Sequence, residues 1–283
     1  MPLDPLPELM VEPIVRAALL EDLGRAGDIT TDAVVPPGHE SRLVLAARQP
    51  GVVAGLDCAR LAFRLLDGGV RFTPRVTDGT AVEPGTVLAQ VEGPSRALLT
   101  GERTGLNLAC RLSGIATATA GLVAAIAGHK AQIVCTRKTT PGLRSLEKYA
   151  VRAGGGANHR FGLDDAVLIK DNHVAIAGSV REAVSRVRAR AGHMVKVEVE
   201  VDTLAQLEEL LTIGADAVLL DNMTPQTLAE AVRMVGGRML TEASGRVNRD
   251  TAPAIAASGV DLISVGWLTH SAPILDIGLD WVG

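Results

Sequence analysis

Aromatic residues are scarce: three Phe, two Trp and one Tyr in 283 positions. So few rings leave almost no platforms on which single-stranded bases could stack, and a formal charge of -4 gives no general attraction to a phosphate backbone. No nucleic-acid partner is expected. Cysteine is equally sparse. Cys58, Cys110 and Cys135 are odd in number, far apart and never in a C-x-x-C pair, so neither a disulfide framework nor a zinc site is expected, and all three read as small core residues of a reducing compartment. The opening MPLDPLPELMVEP sets acids and prolines where a secretory signal needs basic and then apolar residues, and no unbroken apolar run approaches membrane-spanning length. The expectation is a soluble, cytoplasmic protein without a membrane partner. Also missing are a G-x-x-x-x-G-K-S/T loop, a G-x-G-x-x-G after a strand, a G-x-S-x-G elbow and an H-E-x-x-H pair. These absences remove several common nucleotide-binding, hydrolase and metalloprotease designs.

What is present is an ordinary globular composition, 47% hydrophobic and 21% charged, on a chain long enough for one large or two modest domains. Residues 8–23 carry an apolar stripe at helical spacing that Gly24 can end. Between Ser41 and Val91 the texture changes to short β-like runs, SRLVLAAR, VRFTPRV and TVLAQVEG, separated by Asp-Gly and Pro-Gly turns, with one helical segment at 57–66. This predicts a small α+β domain. Residues 95–127 read as one or more connecting helices, broken mainly at Gly101, Gly105, Gly114 and Gly121. The domain boundary is set at 112/113, with a return of the last residues to the first domain left open.

Beyond Ala131 short apolar runs alternate with helical segments: AQIVCT, AVLIK, VKVEVE, DAVLLD, RMLTE and DLISVG. That alternation predicts parallel strands with crossover helices, either an open doubly wound sheet or most of a barrel. Nearly every run ends in polar or small residues: Arg137 with Lys138, Lys170 with Asp171 and Asn172, Glu200, Asp221 with Asn222, Glu242 with Ser244, and Gly266. Any one of Asp221, Asn222 or Ser244 alone would pass as a helix cap. Six ends in succession point to a ligand mouth.

The cations gather in the stretch from Thr136 to His173. Arg137, Lys138, Arg144, Lys148, Arg152 and Arg160 stand against one carboxylate, Glu147, over residues 136–160. On charge alone this is a solvated face. The placement argues otherwise: Arg137 and Lys138 follow an apolar run, Gly154 to Gly156 precede His159 and Arg160, and Lys170 closes another run. Side chains at strand ends and backbone freed by glycine grip phosphates and carboxylates. Arginine suits planar carboxylates and lysine suits phosphate, while Glu200 or Asp221 can accept sugar hydroxyls or hold Mg²⁺ through water. An anionic, phosphorylated substrate is expected. His159 and His173 are candidates for acid–base work or for purely structural hydrogen bonding. Arg144, Lys148 and Arg152 fit a helix between the two halves of the stretch and fall outside the expected site.

The runs TRKTTPGLRSLEKYAV and GGGANHRFGLDDAVLIKDNH, with EDLGRAGDITTDAVVP, GERTGLNLACRLSGIATAT, KVEVEVDTLAQLEELL, AVLLDNM and DLISVGWLTHSAPILDIGLD, resemble the quinolinate phosphoribosyltransferase family over nearly the whole chain. The resemblance implies an N-terminal α/β sandwich domain followed by an open-faced α/β barrel of the type II phosphoribosyltransferase kind. It implies transfer of phosphoribosyl from 5-phosphoribosyl pyrophosphate to quinolinate with decarboxylation, using Mg²⁺, in a homodimer or a larger assembly of dimers such as a hexamer. It places Arg137, His159 and Arg160 at the quinolinate carboxylates with Thr136 and Lys138 beside them, and Arg103 in the same pocket from the partner subunit. Lys138 and Lys170 would face pyrophosphate. Glu200 and Asp221 would face the ribose and metal, and Ser244, Gly245, Arg246, Val265, Gly266 and Trp267 the 5'-phosphate. Lys138, Glu200 and Asp221 are the expected catalytic residues. Two positions depart from the family pattern. Arg246 stands where a second glycine is expected, either as an extra cation or pointing outward, and Trp267 replaces a small residue. A non-decarboxylating pyridine-base phosphoribosyltransferase and a non-catalytic barrel that binds phosphorylated metabolites are the two alternative readings.

Overall fold

The structure, a computed structural model, describes residues 3–282 and divides into two compact units. Unit 1 holds the chain up to Ala120, Thr139–Gly155 and the residues from Leu268 on; unit 2 holds Gly121–Lys138 and Gly156–Trp267. In chain order the elements are α1 (Glu8–Leu23), α2 (Ile29–Val34), β1 (Glu40–Ala47), β2 (Gly51–Val52), α3 (Leu56–Arg64), β3 (Arg71–Pro74), β4 (Ala81–Val82), β5 (Val87–Pro94) and α4 (Ser95–Ala125). They continue with β6 (Gln132–Val134), α5 (Arg144–Ala153), β7 (Val167–Ile169), α6 (Asp171–Ala177), α7 (Val180–Arg188), β8 (Val197–Val201), α8 (Leu204–Ile213) and β9 (Ala217–Asp221). The last are α9 (Pro225–Val235), β10 (Leu240–Ser244), α10 (Ala252–Ala257), β11 (Leu262–Ser264), α11 (Trp267–His270) and β12 (Ile277–Trp281).

Unit 1 is built on an antiparallel sheet in the order β12-β1-β5-β3, with helices packed on it. Leu43 and Leu45 of β1 and Leu88 and Val91 of β5 meet Phe63 of α3 and Leu98 of α4 in one buried cluster. Phe63 and Phe72 stack with ring centroids 6.5 Å apart. Helix α1 forms on a stripe of Val11, Val15 and Leu19, buried at a spacing of four. The start of α3 is fixed by Asp78, which accepts the amides of Gly55 and Leu56 at 2.9 and 3.3 Å and the Tyr149 hydroxyl at 2.8 Å. Burial pushes the Asp78 carboxyl up despite these three donors.

The connector is a single helix, α4, and not several. Its glycines are points of close approach, not breaks. A Cβ on Gly114 would strike the Pro273 carbonyl, and one on Gly101 would sit 3.0 Å from the Phe63 ring. By length and composition α4 could cross a membrane, and over half of its most apolar window is buried within the protein. Here it is a core helix. Farther along, α5 carries Glu147 and Lys148, both buried, while Arg152 is exposed.

Unit 2 carries six parallel strands in the order β6-β11-β10-β9-β8-β7. From β7 to β11 the chain moves one neighbour at a time, and β6 joins beyond β11. This is the progression of a barrel, with the seam between β6 and β7 left unpaired. A doubly wound sheet would instead reverse direction at a switch point. The crossover helices start where polar side chains take up their free amides: Ser179 caps α7, Thr203 with Gln206 makes a capping box on α8, and Thr224 caps α9 ahead of Pro225. The α/β sandwich and open-faced barrel expected from the sequence are both present.

Candidate active site

The strand ends of unit 2 converge. Thr136, Arg137 and Lys138 after β6, His159 and Arg160 before β7, Lys170 after β7, Glu200 on β8, Asp221 on β9 and Ser244 on β10 line one pocket of about 380 Å³. The pocket also reaches Leu168, Leu219, Glu242 and Ser264, which lie one pleat deeper on their strands. Because the edge strands β6 and β7 both contribute, the sheet is curled around the cavity.

One wall is cationic. Arg137 has its Nε buried without a hydrogen-bond partner, an arrangement that an anionic ligand would satisfy. Arg160 donates from Nη1 to the Ala166 carbonyl at 2.9 Å. Burial, followed by the charge of Arg137, holds the Arg160 guanidinium below its usual range. Two guanidiniums that repel each other in one wall suit a dianion. The Lys138 amide donates to Thr136 Oγ1 at 3.0 Å, which turns the chain just after β6.

The facing side is acidic. Glu200 Oε2 accepts from Lys170 Nζ at 3.2 Å. Burial raises the Glu200 carboxyl; Lys170 offsets part of this, while Asp221 and Asp171 add to it. Asn222, at φ +53, donates its side-chain amide to Asp221, and its backbone amide bonds the Ser244 carbonyl at 2.9 Å.

The turn after β10 is conformationally unusual. Gly245 has φ +104, and a Cβ there would collide with the Asn222 side chain. Arg246 has φ +49 and is exposed. This backbone conformation explains the glycine pattern from which Arg246 departs. Trp267 donates its indole N–H to the Val247 carbonyl at 2.8 Å, tying the segment after β11 to this turn. The larger side chain therefore holds the loop. Val265 is a core residue, 2% exposed, whose amide bonds the Val134 carbonyl. Arg103 lies in unit 1 on an exposed face of α4, beside a recess lined by Asp22, Asp28 and Thr100. His173 Nδ1 accepts the Lys170 amide at 2.9 Å within the first turn of α6, a capping role.

His159 is placed differently. Its Nδ1 accepts the Arg160 amide at 2.7 Å, which puts the ring hydrogen on Nε2. Nε2 lies 2.8 Å from Glu198 Oε2 and 3.6 Å from Glu242 Oε2. Among the described residues this trio is the one His/Cys/Asp/Glu group close enough to share a cation. The hydrogen on Nε2 occupies the lone pair that a metal would need, so the group is a hydrogen-bonded cluster. Glu198 was missed in the sequence, and Glu242 was seen there only as a strand end. The alternation VEVEV carries the signal, since Glu198 shares a strand face with Glu200.

An open parallel barrel with cations, carboxylates and a tight serine–glycine turn around its mouth defines an enzyme for phosphorylated anions. The chain belongs to the quinolinate phosphoribosyltransferase family: the N-terminal domain of that family matches residues 28–113 and the C-terminal domain residues 115–280. It is 49% identical over 271 residues to the nicotinate-nucleotide pyrophosphorylase (carboxylating) of Mycobacterium leprae, covering 94% of this chain and 95% of that protein. It is 45% identical over 273 residues to the probable enzyme of that name from Bacillus subtilis, covering 96% and 93%. The crystal structure of NadC from Streptococcus pyogenes superposes with a TM-score of 0.94 at 39% identity, over 99% of this chain and all of that one.

Proposed function

We propose that the unit 2 pocket transfers the phosphoribosyl group of 5-phosphoribosyl pyrophosphate to the ring nitrogen of quinolinate and releases carbon dioxide, yielding nicotinate mononucleotide for NAD synthesis. The observation that carries this reading is the pair Arg137 and Arg160, one with an unsatisfied buried Nε, facing Glu200 and Asp221 across a single cavity. Arg137 and Arg160 take the two carboxylates of quinolinate, with Thr136 and Lys138 beside them, while His159 lines the same pocket with its ring nitrogens engaged by the Arg160 amide and Glu198. Lys138 and Lys170 face pyrophosphate, and Ser244, Gly245 and Gly266 receive the 5'-phosphate. Both substrates are polyanions, so the cationic wall first offsets their repulsion and aligns the nitrogen with the ribose C1. As pyrophosphate leaves, positive character grows on the sugar, and Glu200 and Asp221 stabilise it. The positive pyridinium nitrogen then stabilises, as an ylide, the electron pair left on the adjacent carbon when its carboxylate departs, without an organic cofactor.

Magnesium fits this site. Glu200 and Asp221 are hard oxygen donors from neighbouring strands, and the mutual charge that helps hold Glu200 high is relieved by a cation. They would hold it through water, and when bound it offsets charge on the pyrophosphate. The working assembly is a cytoplasmic homodimer in which Arg103 reaches the partner's pocket. Mixing inactive Arg103→Ala and Lys138→Ala subunits under exchange restores activity if the site is shared, and leaves none if it is not. The reaction itself is tested by supplying 5-phosphoribosyl pyrophosphate with either quinolinate or nicotinate. Carbon dioxide and pyrophosphate from quinolinate support the reading; product from nicotinate alone overturns it.

A further inference from the structure

The strand pleat places a second tier of side chains beneath the ring of strand ends, and in that tier Glu242 stands out. It is 1% exposed, and neither carboxyl oxygen makes a hydrogen bond within the described residues. His159 Nε2 lies 3.6 Å from its Oε2, and the hydrogen on that nitrogen goes to Glu198 at 2.8 Å. The His159 ring cannot serve both acids, because its other nitrogen accepts the Arg160 amide. Two carboxyl groups therefore compete for one hydrogen at the floor of the pocket. An ionised, unsatisfied carboxylate in such a place is costly, and the group without a donor keeps its own proton. In agreement, burial and then the charge of Glu198 push Glu242 up to about 7, against smaller opposing effects of His159 and the Ser264 hydroxyl. The remaining charged groups around this cavity are Glu200 and Asp221 on the neighbouring strands, Arg137 and Lys138 after β6, and Arg160 and Lys170 flanking β7.

We propose that Glu242 is the acid that delivers the proton replacing the departing carboxylate at C2 of the pyridine ring. The step rests on the reaction proposed above and balances as follows. The bond between C2 and the carboxylate carbon breaks, carbon dioxide leaves, and the electron pair stays on C2 beside the pyridinium nitrogen. That pair takes the Glu242 proton and forms the C2–H bond. Glu242 is left as a carboxylate and recovers a proton from solvent before the next turnover. His159 and Glu198 act as positioning residues: their mutual hydrogen bond withholds from Glu242 the donor that would otherwise keep it ionised.

The test compares wild type with Glu242→Gln and Glu242→Asp in quinolinate turnover across pH 5.5–9. Wild-type kcat is expected to fall on the basic side as Glu242 loses its proton. Glu242→Gln should lose about 100-fold or more in kcat, with KM for both substrates within about threefold, and its residual rate should lack the basic limb. Glu242→Asp, which keeps an acid, should retain the limb and exceed the glutamine variant in rate. A glutamine variant with wild-type kcat and the same limb overturns the proposal, as does a change confined to KM. Equal rates per folded protein in the Gln and Asp variants overturn it as well, the folded fraction of each being read from its unfolding curve. Wild type that releases no carbon dioxide from quinolinate overturns the proposed reaction and this step together.

Discussion

Replacing Glu242 with glutamine should change the pH dependence of stability in a direction fixed by its burial. The carboxyl is raised from an ordinary 4.5 to about 7, so between those values the folded protein keeps a proton that the unfolded chain has released. The stability this proton contributes is fully present below pH 4.5, declines as pH rises toward 7, and is gone above it. The displacement corresponds to about 3 kcal/mol lost by wild type across that window, and the group is buried enough that solvent screening takes little of it. Glutamine carries no such charge. Whatever constant difference the amide introduces, the stability of Glu242→Gln relative to wild type should rise by about 3 kcal/mol between pH 4.5 and pH 8, or roughly 5–10 °C in Tm for a chain of this size. Calorimetry of the two proteins in matched buffers measures this, and the titrating groups away from the Glu242, Glu198 and His159 cluster cancel in the comparison. A Tm difference that stays flat with pH would refute the claim that Glu242 holds a proton in the folded state.

Two further substitutions probe the loop and the first unit. Trp267→Phe removes the indole donor to the Val247 carbonyl while keeping most of the ring; losing one such bond, about 1 kcal/mol, should raise KM for 5-phosphoribosyl pyrophosphate up to about fivefold with kcat changed less than twofold, read from steady-state kinetics. Arg111→Met strips Glu147, which is fully buried, of a partner that reaches it through Nη2 at 2.6 Å and Nε at 3.0 Å. It should cost about 3–5 kcal/mol in urea unfolding, and Arg111→Met combined with Glu147→Leu should recover part of that loss.

Much of the fold was legible because its signals are local. Helix α1 spans residues 8–23, where the apolar stripe and Gly24 put it, and the six alternating runs of the second half became the six parallel strands. The sequence left open whether the α4 connector is one helix or several, because a glycine that admits a neighbouring backbone looks the same in sequence as one that ends a helix. The partner of Gly114, Pro273, lies more than 150 residues away. The upper ring of the pocket was legible for a similar reason, since strand ends are marked by polar residues after apolar runs. Glu198 was not legible. It sits within a strand, where a charged residue normally marks a solvent face, and its direction depends on the sheet curling inward. Lys148, which reads as part of a charged helix face, is buried as well. His173 read either as an acid or base or as a structural residue, and it caps α6, a role set by the turn after Lys170.

The central claim is that one pocket couples transfer to decarboxylation. It is tested most directly with quinolinate labelled in its 2-carboxylate, following labelled carbon dioxide and pyrophosphate in the same reaction with 5-phosphoribosyl pyrophosphate. One carbon dioxide for each pyrophosphate, and none when 5-phosphoribosyl pyrophosphate is withheld, is the predicted result. Pyrophosphate without carbon dioxide, or carbon dioxide without the phosphoribosyl donor, would contradict it.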